Sequence, residues 1–431
     1  MFFTQTERKR FVVLGLDGLP APLALKWAKK LPNLSRIAEK CGPINAELPE
    51  LSPVNWTSFF TARKPEKHGL YGFTSIDPQD YTLSINNFEQ VLCPTVFDAL
   101  GEQGLVSKVI NLPNTYPAKP LRGMLISGFV ADSIEKAVQP PFLIGPLRDS
   151  GYQLEADTSR GIMAPDYLFE QVAHTLKGRL NALEMLWNDL AWDLFTIVLT
   201  ETDRLFHFFY PAFEDENHPL YPKALDFMCQ WDQAIGLVLD KFEALPGEKK
   251  LISFADHGFA ALETEVDLNT FLVQHGYLEY TCPAKSQWDS TVISANSKAF
   301  ALDPGRIYIH TSEFARGQVD TEQAEIITAE IAEKLMKLKF NGQQVMAQVL
   351  TKEEAYGENP IGNPPDLICT ARPGFDLKAK FDRMEIFGFH GRTGTHTVND
   401  AFFYSSDGQQ IRSMHQTGKI ILDWFNICLP D

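Results

Sequence analysis

Six side chains in this chain have the chemistry of metal ligands and fall near predicted strand ends: Asp17, Asp203, His207, Asp256, His257 and His396. Three carboxylates and three imidazoles suit two adjacent divalent cations of the zinc type, which accept nitrogen and oxygen donors. Zn2+ is the first choice and Mn2+ the alternative. Asp203 and His207 lie four apart and can share one face of a helical turn. Asp256 and His257 are neighbours that point different ways in an extended chain, so a tight turn at Gly258 would aim both at one centre. Singly, each residue is ordinary: Asp17 before Gly18 reads as a turn, and a His beside an Asp is often a satisfied core or surface residue. The joint placement carries the metal expectation. His68 and His390, also near glycines, read as structural.

The segment Leu51-Ser52-Pro53-Val54-Asn55-Trp56-Thr57-Ser58-Phe59-Phe60 reads as a helix start, with Ser52 as N-cap and Pro53 at the first helical position. A hydroxyl there sits at the positive end of the helix dipole, where a phosphate can be held. A plain Ser-Pro cap is the bland alternative. The Asn55 amide, three residues on, could reach an oxygen bound at the same helix mouth. No His-Asp relay is needed if a cation binds the Ser52 hydroxyl and lowers its pKa.

These groups need a scaffold that brings strand ends together. Apolar strands are predicted at Phe11–Leu16, Ser107–Leu112, Leu125–Phe129, Leu194–Leu199 and Lys250–Phe254, and a closing strand at Ala401–Tyr404. Helices are predicted at Pro22–Lys30, Asn33–Ala38, Val96–Leu105, Pro165–Trp187, Pro222–Phe242 and Thr321–Leu338. The alternation favours an α/β fold with a mostly parallel central sheet flanked by helices. Ligands of such sheets bind beyond the carboxyl ends of the strands. From about residue 260 the character changes: Pro and Gly recur around one charged helix. We therefore expect a catalytic core of 1–258 and 387–431, and a smaller inserted α+β cap of 259–386.

The chain has 431 residues with an ordinary globular composition, 44% hydrophobic and 22% charged, which excludes a disordered or fibrous chain. Its net charge of −16 repels nucleic-acid backbone and anionic lipid at long range, so no nucleic-acid polymer is expected as partner. No run of about 18 apolar residues exists, so no membrane span is expected. The stretch Phe11–Leu16 is too short for a secretion signal. The six cysteines lie far apart without a CxxC pair and read as reduced thiols of a cytoplasmic protein. Oligomeric state is not legible.

Asp17 after the first strand, the block Ser52-Pro-Val-Asn55-Trp-Thr-Ser-Phe-Phe-Thr-Ala-Arg-Lys-Pro-Glu-Lys-His68-Gly69, Thr202-Asp203-Arg-Leu-Phe-His207, Ala255-Asp256-His257-Gly258 and Gly394-Thr395-His396-Thr occur in a telling order. In that order they resemble the type I phosphodiesterase/nucleotide pyrophosphatase branch of the alkaline phosphatase superfamily, and within it the bacterial and archaeal phosphohydrolases/phosphomutases described as cytoplasmic. The resemblance spans nearly the whole chain. It implies one cation held by Asp203, His207 and His396, and another held by Asp17, Asp256 and His257, with Ser52 as the ligand that attacks phosphorus. It implies that Asn55 hydrogen-bonds a phosphoryl oxygen. Relatives usually have Thr where Ser52 stands, often a basic residue after the final His where Thr397 stands, and often Gly where Ala62 stands.

The resemblance implies hydrolysis of a small phosphate ester by in-line displacement through a phosphoryl-Ser52 intermediate, with two cations about 4 Å apart. A phosphomonoesterase or phosphomutase of the same superfamily is the nearest alternative. A sulfatase is disfavoured because Ser52-Pro-Val-Asn-Trp lacks the C/S-x-P-x-R order. A non-catalytic binding protein on a retained fold would not bind two equivalents of metal. Aromatic residues near the expected site (Trp56, Phe59, Phe60, Phe206, Phe208, Phe209 and Tyr210) would suit the second ester group of a diester, though such stripes are commonly core.

Overall fold

The strands Arg10–Leu16, Ser107–Leu112 and Leu194–Leu199 are buried at every position, as the largely apolar strands of a parallel sheet must be when helices cover both of its faces. They belong to an eight-stranded sheet in the computed structural model, which describes residues 8–429. Its order is Gly42–Ile44, Ala401–Ser405, Lys249–Phe254, Arg10–Leu16, Leu194–Leu199, Ser107–Leu112, Gly123–Ser127, Val138–Gln139. The five inner strands from Lys249–Phe254 to Gly123–Ser127 run parallel. The outer pairings are antiparallel, so the sheet is mixed but mostly parallel. Leu16 pairs with Leu199, and Gly15 with Phe254, which aligns the carboxyl ends of three central strands.

The described chain divides into two units. The first comprises the residues up to Lys64, Asn87–Ala260 and His396 onwards. The second comprises Pro65–Asn86 and Ala261–Thr395. It holds an antiparallel sheet in the order Ala299–Leu302, Arg306–Ile309, Leu367–Ala371, Met346–Thr351. The helix Thr321–Met336 contributes Ile327, Ile331 and Leu335 to the apolar core of this unit, at helical spacing. Pro65–Asn86 joins this unit through a hairpin, Thr74–Ile76 with Leu83–Ile85, and through Ile76 and the fully buried Tyr81 in the same core. Apolar spacing over so short a hairpin does not reveal which core it enters. His68 lies in this unit, is fully buried, and accepts a hydrogen bond on Nδ1 from Leu70 N–H; burial pushes its pKa down to about 3.

The helix Ser52–Thr61 ends on Ala62 with φ 51°, a left-handed cap where glycine is ordinarily used. Alanine there costs roughly 1–2 kcal/mol, of which glycine's extra unfolded-state freedom cancels part. Ala62→Gly is therefore expected to raise unfolding stability by about 0.5–1 kcal/mol in urea. Unchanged or lowered stability would show that the turn is not strained.

Candidate metal centre and nucleophile

The ligand-type residues converge in the first unit. Asp17 follows the strand Arg10–Leu16 directly, and Asp256 and His257 follow Lys249–Phe254. Asp203 and His207 sit on the helix Glu201–Glu214 that follows Leu194–Leu199, one turn apart on the same face. That helix was not predicted from sequence because aromatic residues and Pro211 obscure its period; its backbone leaves helical geometry at Phe209, two residues before the proline. Asp203, His207 and His396 bring their ligand atoms within 4.8 Å of one another, and so do Asp17, Asp256 and His257. The two groups adjoin: His257 Nε2 lies 3.9 Å from both Asp17 Oδ1 and Asp203 Oδ1, and the rings of His257 and His396 stack with centroids 3.6 Å apart.

Gly18, at φ 69°, turns the chain so that its N–H donates to Asp256 Oδ1 at 3.2 Å. Gly258 does not make the tight turn expected of it. It opens a short strand without positive φ, and what requires glycine is close approach: a Cβ would collide with the Asp400 carboxylate and the Thr397 hydroxyl.

Two of the three imidazoles are fixed through Nδ1. His257 Nδ1 lies 3.0 Å from the Gly258 carbonyl, and His396 Nδ1 lies 2.8 Å from the Glu50 carbonyl. A carbonyl only accepts, so both rings carry a proton on Nδ1 and turn Nε2 towards the carboxylates. His396 Nε2 faces His207 Nε2 at 3.2 Å, and each lies 3.4 Å from Asp203 Oδ1. Burial, and then the neighbouring His257, lower the His396 pKa and keep its ring neutral.

The carboxylates show the same polarity. Asp17, Asp203 and Asp256 are at most 2% exposed. One oxygen of each (Asp17 Oδ1, Asp203 Oδ1 and Asp256 Oδ2) is buried with no hydrogen-bond partner. Three buried carboxylates cannot all be ionised together unaided. Burial, then Asp256 and Asp203, raise the Asp17 pKa well above its ordinary value. Burial pushes Asp203 up as well, but His207, His396 and Arg204 outweigh it and hold Asp203 well below the ordinary value. Orphaned carboxylate oxygens beside imidazole nitrogens are a donor set that divalent cations fit.

Ser52 is the first helical residue, not the N-cap; Leu51 occupies that place without a side-chain bond, and Pro53 is the second position. Every other residue of the helix is buried, whereas Ser52 is half-buried. Its hydroxyl lies 3.2 Å from His257 Nε2 and can donate to it. Asn55 does not point its amide at the same opening. It is fully buried; its Oδ1 accepts from Glu47 N–H at 2.6 Å, and its Nδ2 faces the carbonyls of Glu47, Pro49 and Leu51. Asn55 therefore fixes the loop that leads into the helix. Among the aromatic residues considered for an ester pocket, Trp56, Phe59, Phe60, Phe206, Phe209 and Tyr210 are core, at most 3% exposed; Phe208 alone is half-buried.

Sequence reasoning passed over Arg204 and Glu155. Arg204 Nη1 donates to Asp203 Oδ2 at 2.8 Å, while its Nε and Nη2 donate to Glu155 Oε2 at 3.1 and 3.0 Å. A usable signal was present: a cation in the first turn of a helix is disfavoured by the dipole and needs a reason to be there.

A family model described as type I phosphodiesterase / nucleotide pyrophosphatase matches residues 11–393. The chain belongs to this family. With it, the chain is a metal-dependent phosphoric ester hydrolase. The matched span contains every ligand-type residue except His396. Among solved structures, phosphonoacetate hydrolase from Sinorhizobium meliloti 1021, in complexes with phosphonoformate and with phosphonoacetate, aligns with TM-score 0.63 at 16% identity, covering 97% of this chain and 96% of the other. That likeness establishes the alkaline-phosphatase-like fold. No curated protein matches. Among the described residues, no helix is long and apolar enough to cross a membrane.

Proposed function

We propose that the protein hydrolyses small phosphodiesters or pyrophosphates with two divalent cations, most simply Zn2+ given the mixed nitrogen and oxygen donors. One cation would be held by Asp203, His207 and His396, the other by Asp17, Asp256 and His257, with Ser52 beside them. Bound there, such ions would supply positive charge to the Ser52 oxygen and to the leaving oxygen. The observation that carries the proposal is the set of three orphaned carboxylate oxygens within 3.9 Å of His257 Nε2, which itself lies 3.2 Å from the Ser52 hydroxyl.

Ser52 Oγ would bond to phosphorus as the bond to the departing alcohol or phosphate breaks in line, the Ser52 proton passing through solvent to the departing oxygen. Water then attacks the phosphoryl-Ser52 ester and restores the hydroxyl. Helix position favours Ser52 for this work, because the first turn presents the positive end of the dipole to a developing anion. Asn55 acts through the loop it fixes rather than on the phosphoryl group. The 259–386 segment is proposed as an inserted subdomain. All six cysteines are free, in keeping with action in a reducing cytoplasm.

The test is an activity panel on metal-reconstituted protein, with and without chelator: bis-p-nitrophenyl phosphate, p-nitrophenyl thymidine monophosphate, p-nitrophenyl phosphate and phosphonoacetate. Diester cleavage lost on chelation is expected. Preference for the monoester would move the reading to phosphatase or mutase chemistry, and preference for phosphonoacetate would overturn ester hydrolysis.

A further inference from the structure

Each of the three buried carboxylates has one oxygen without a partner and one oxygen held by a single donor. Asp256 Oδ1 takes the Gly18 N–H at 3.2 Å, Asp17 Oδ2 takes the Trp56 indole N–H at 3.3 Å, and Asp203 Oδ2 takes Arg204 Nη1 at 2.8 Å. The unpartnered oxygens are the ones nearest the imidazoles: Asp256 Oδ2 and His257 Nε2 are 3.3 Å apart, and Asp203 Oδ1 lies 3.4 Å from two imidazole nitrogens. Arg204 and Trp56 are themselves locked. Arg204 is tied to Glu155 by two N–H groups and lies over the Phe129 ring, 4.5 Å from its centroid. Trp56 is fully buried and lies so close to Gly15 that a Cβ there would come within 2.6 Å of the indole.

We infer that Arg204 and Trp56 are positioning residues, each serving one of the two cation positions. Arg204 restrains Asp203 to one-oxygen coordination, and Trp56 does the same for Asp17. The inference rests on the two-cation reading above. A carboxylate oxygen that accepts a fixed hydrogen bond is withdrawn from the cation, which sets ligand direction and leaves room in the coordination shell for Ser52 and substrate. The donors belong to different groups of ligands, so their effects should separate.

The experiment is a zinc titration of the full-length apo-protein by calorimetry, with Co2+ absorption as a second readout. Wild type should take up two equivalents, and one or none would sink the two-cation reading itself. Asp256→Asn and Asp203→Asn each leave one position for measurement. In the Asp256→Asn background, Arg204→Lys, which keeps the charge but loses the planar fork, should weaken the remaining site by about tenfold or more, and Trp56→Phe should leave it within about twofold. In the Asp203→Asn background the order should reverse. Glu155→Gln, which only loosens Arg204, should act like Arg204→Lys by a smaller factor, and it serves where a bulkier change impairs folding. If both variants weaken the same site, or neither weakens any while wild type binds two cations, the assignment is wrong.

Discussion

Ser52→Ala should reduce kcat for any ester the protein cleaves by at least about 10^4-fold, because the nucleophile is removed and no neighbouring hydroxyl takes its place. Thr57 and Ser58 are buried and donate to carbonyls one turn back, Pro53 and Val54 respectively, so neither is available to substitute. Stability should barely change. Ser52 is half-buried, makes no capping bond, and alanine suits the first turn. Both metal equivalents should remain, because the imidazole and carboxylate donors are untouched. Equilibrium unfolding, metal analysis and kinetics on one preparation check this together. An Ser52→Ala protein with near-normal turnover would remove Ser52 from the chemistry, and one that loses metal as well would make Ser52 a structural ligand instead.

Asp256→Asn is the second large effect. The amide can keep its oxygen on the Gly18 N–H, but it then turns an NH2 group into the space where Asp256 Oδ2 stands unpartnered. A ligand charge is lost and a donor faces the cation. Metal content should fall from two equivalents to one, and kcat/KM by on the order of 10^3-fold, about 4 kcal/mol of transition-state stabilisation. Fold stability without metal should rise, because one buried carboxylate near Asp17 is gone and like-charge repulsion falls. Metal analysis by mass spectrometry and apo-protein unfolding measure both. Two equivalents retained, with activity, would mean that Asp256 is a structural acid.

Much of this centre can be read along the chain, because parallel strands leave strong marks. Leu194–Leu199 and Pro165–Trp187 were placed to the residue, since each is a long run of a single period bounded by polar or proline signals. The gathering of Asp17, Asp203, His207, Asp256 and His257 followed from their places after such strands, whereas His396 lies inside the short strand Gly394–Thr397 and was legible only as part of its motif. What the sequence hides is orientation. Ser52 and Leu51 differ by one residue as the N-cap, and local preference for Ser at that position gave the wrong one. Asn55 lies three residues from Ser52, but the cap loop folds back under the helix and binds its amide from inside, which spacing alone does not reveal. The aromatic residues around Trp56 fill the core because the sheet and helices leave them nowhere else to pack. The short edge strands Gly42–Ile44 and Val138–Gln139 carry too few residues to show a period.

The central claim is a covalent phosphoryl-Ser52 step, and the stereochemical course at phosphorus tests it most directly. A phosphodiester substrate made chiral with sulfur and oxygen isotopes would be hydrolysed by the metal-reconstituted enzyme and the product configuration read by 31P NMR. Attack by Ser52 followed by attack of water inverts phosphorus twice, so the account predicts overall retention. Net inversion would mean that water attacks the substrate in a single displacement, and that the Ser52 hydroxyl, however well placed, never bonds to phosphorus.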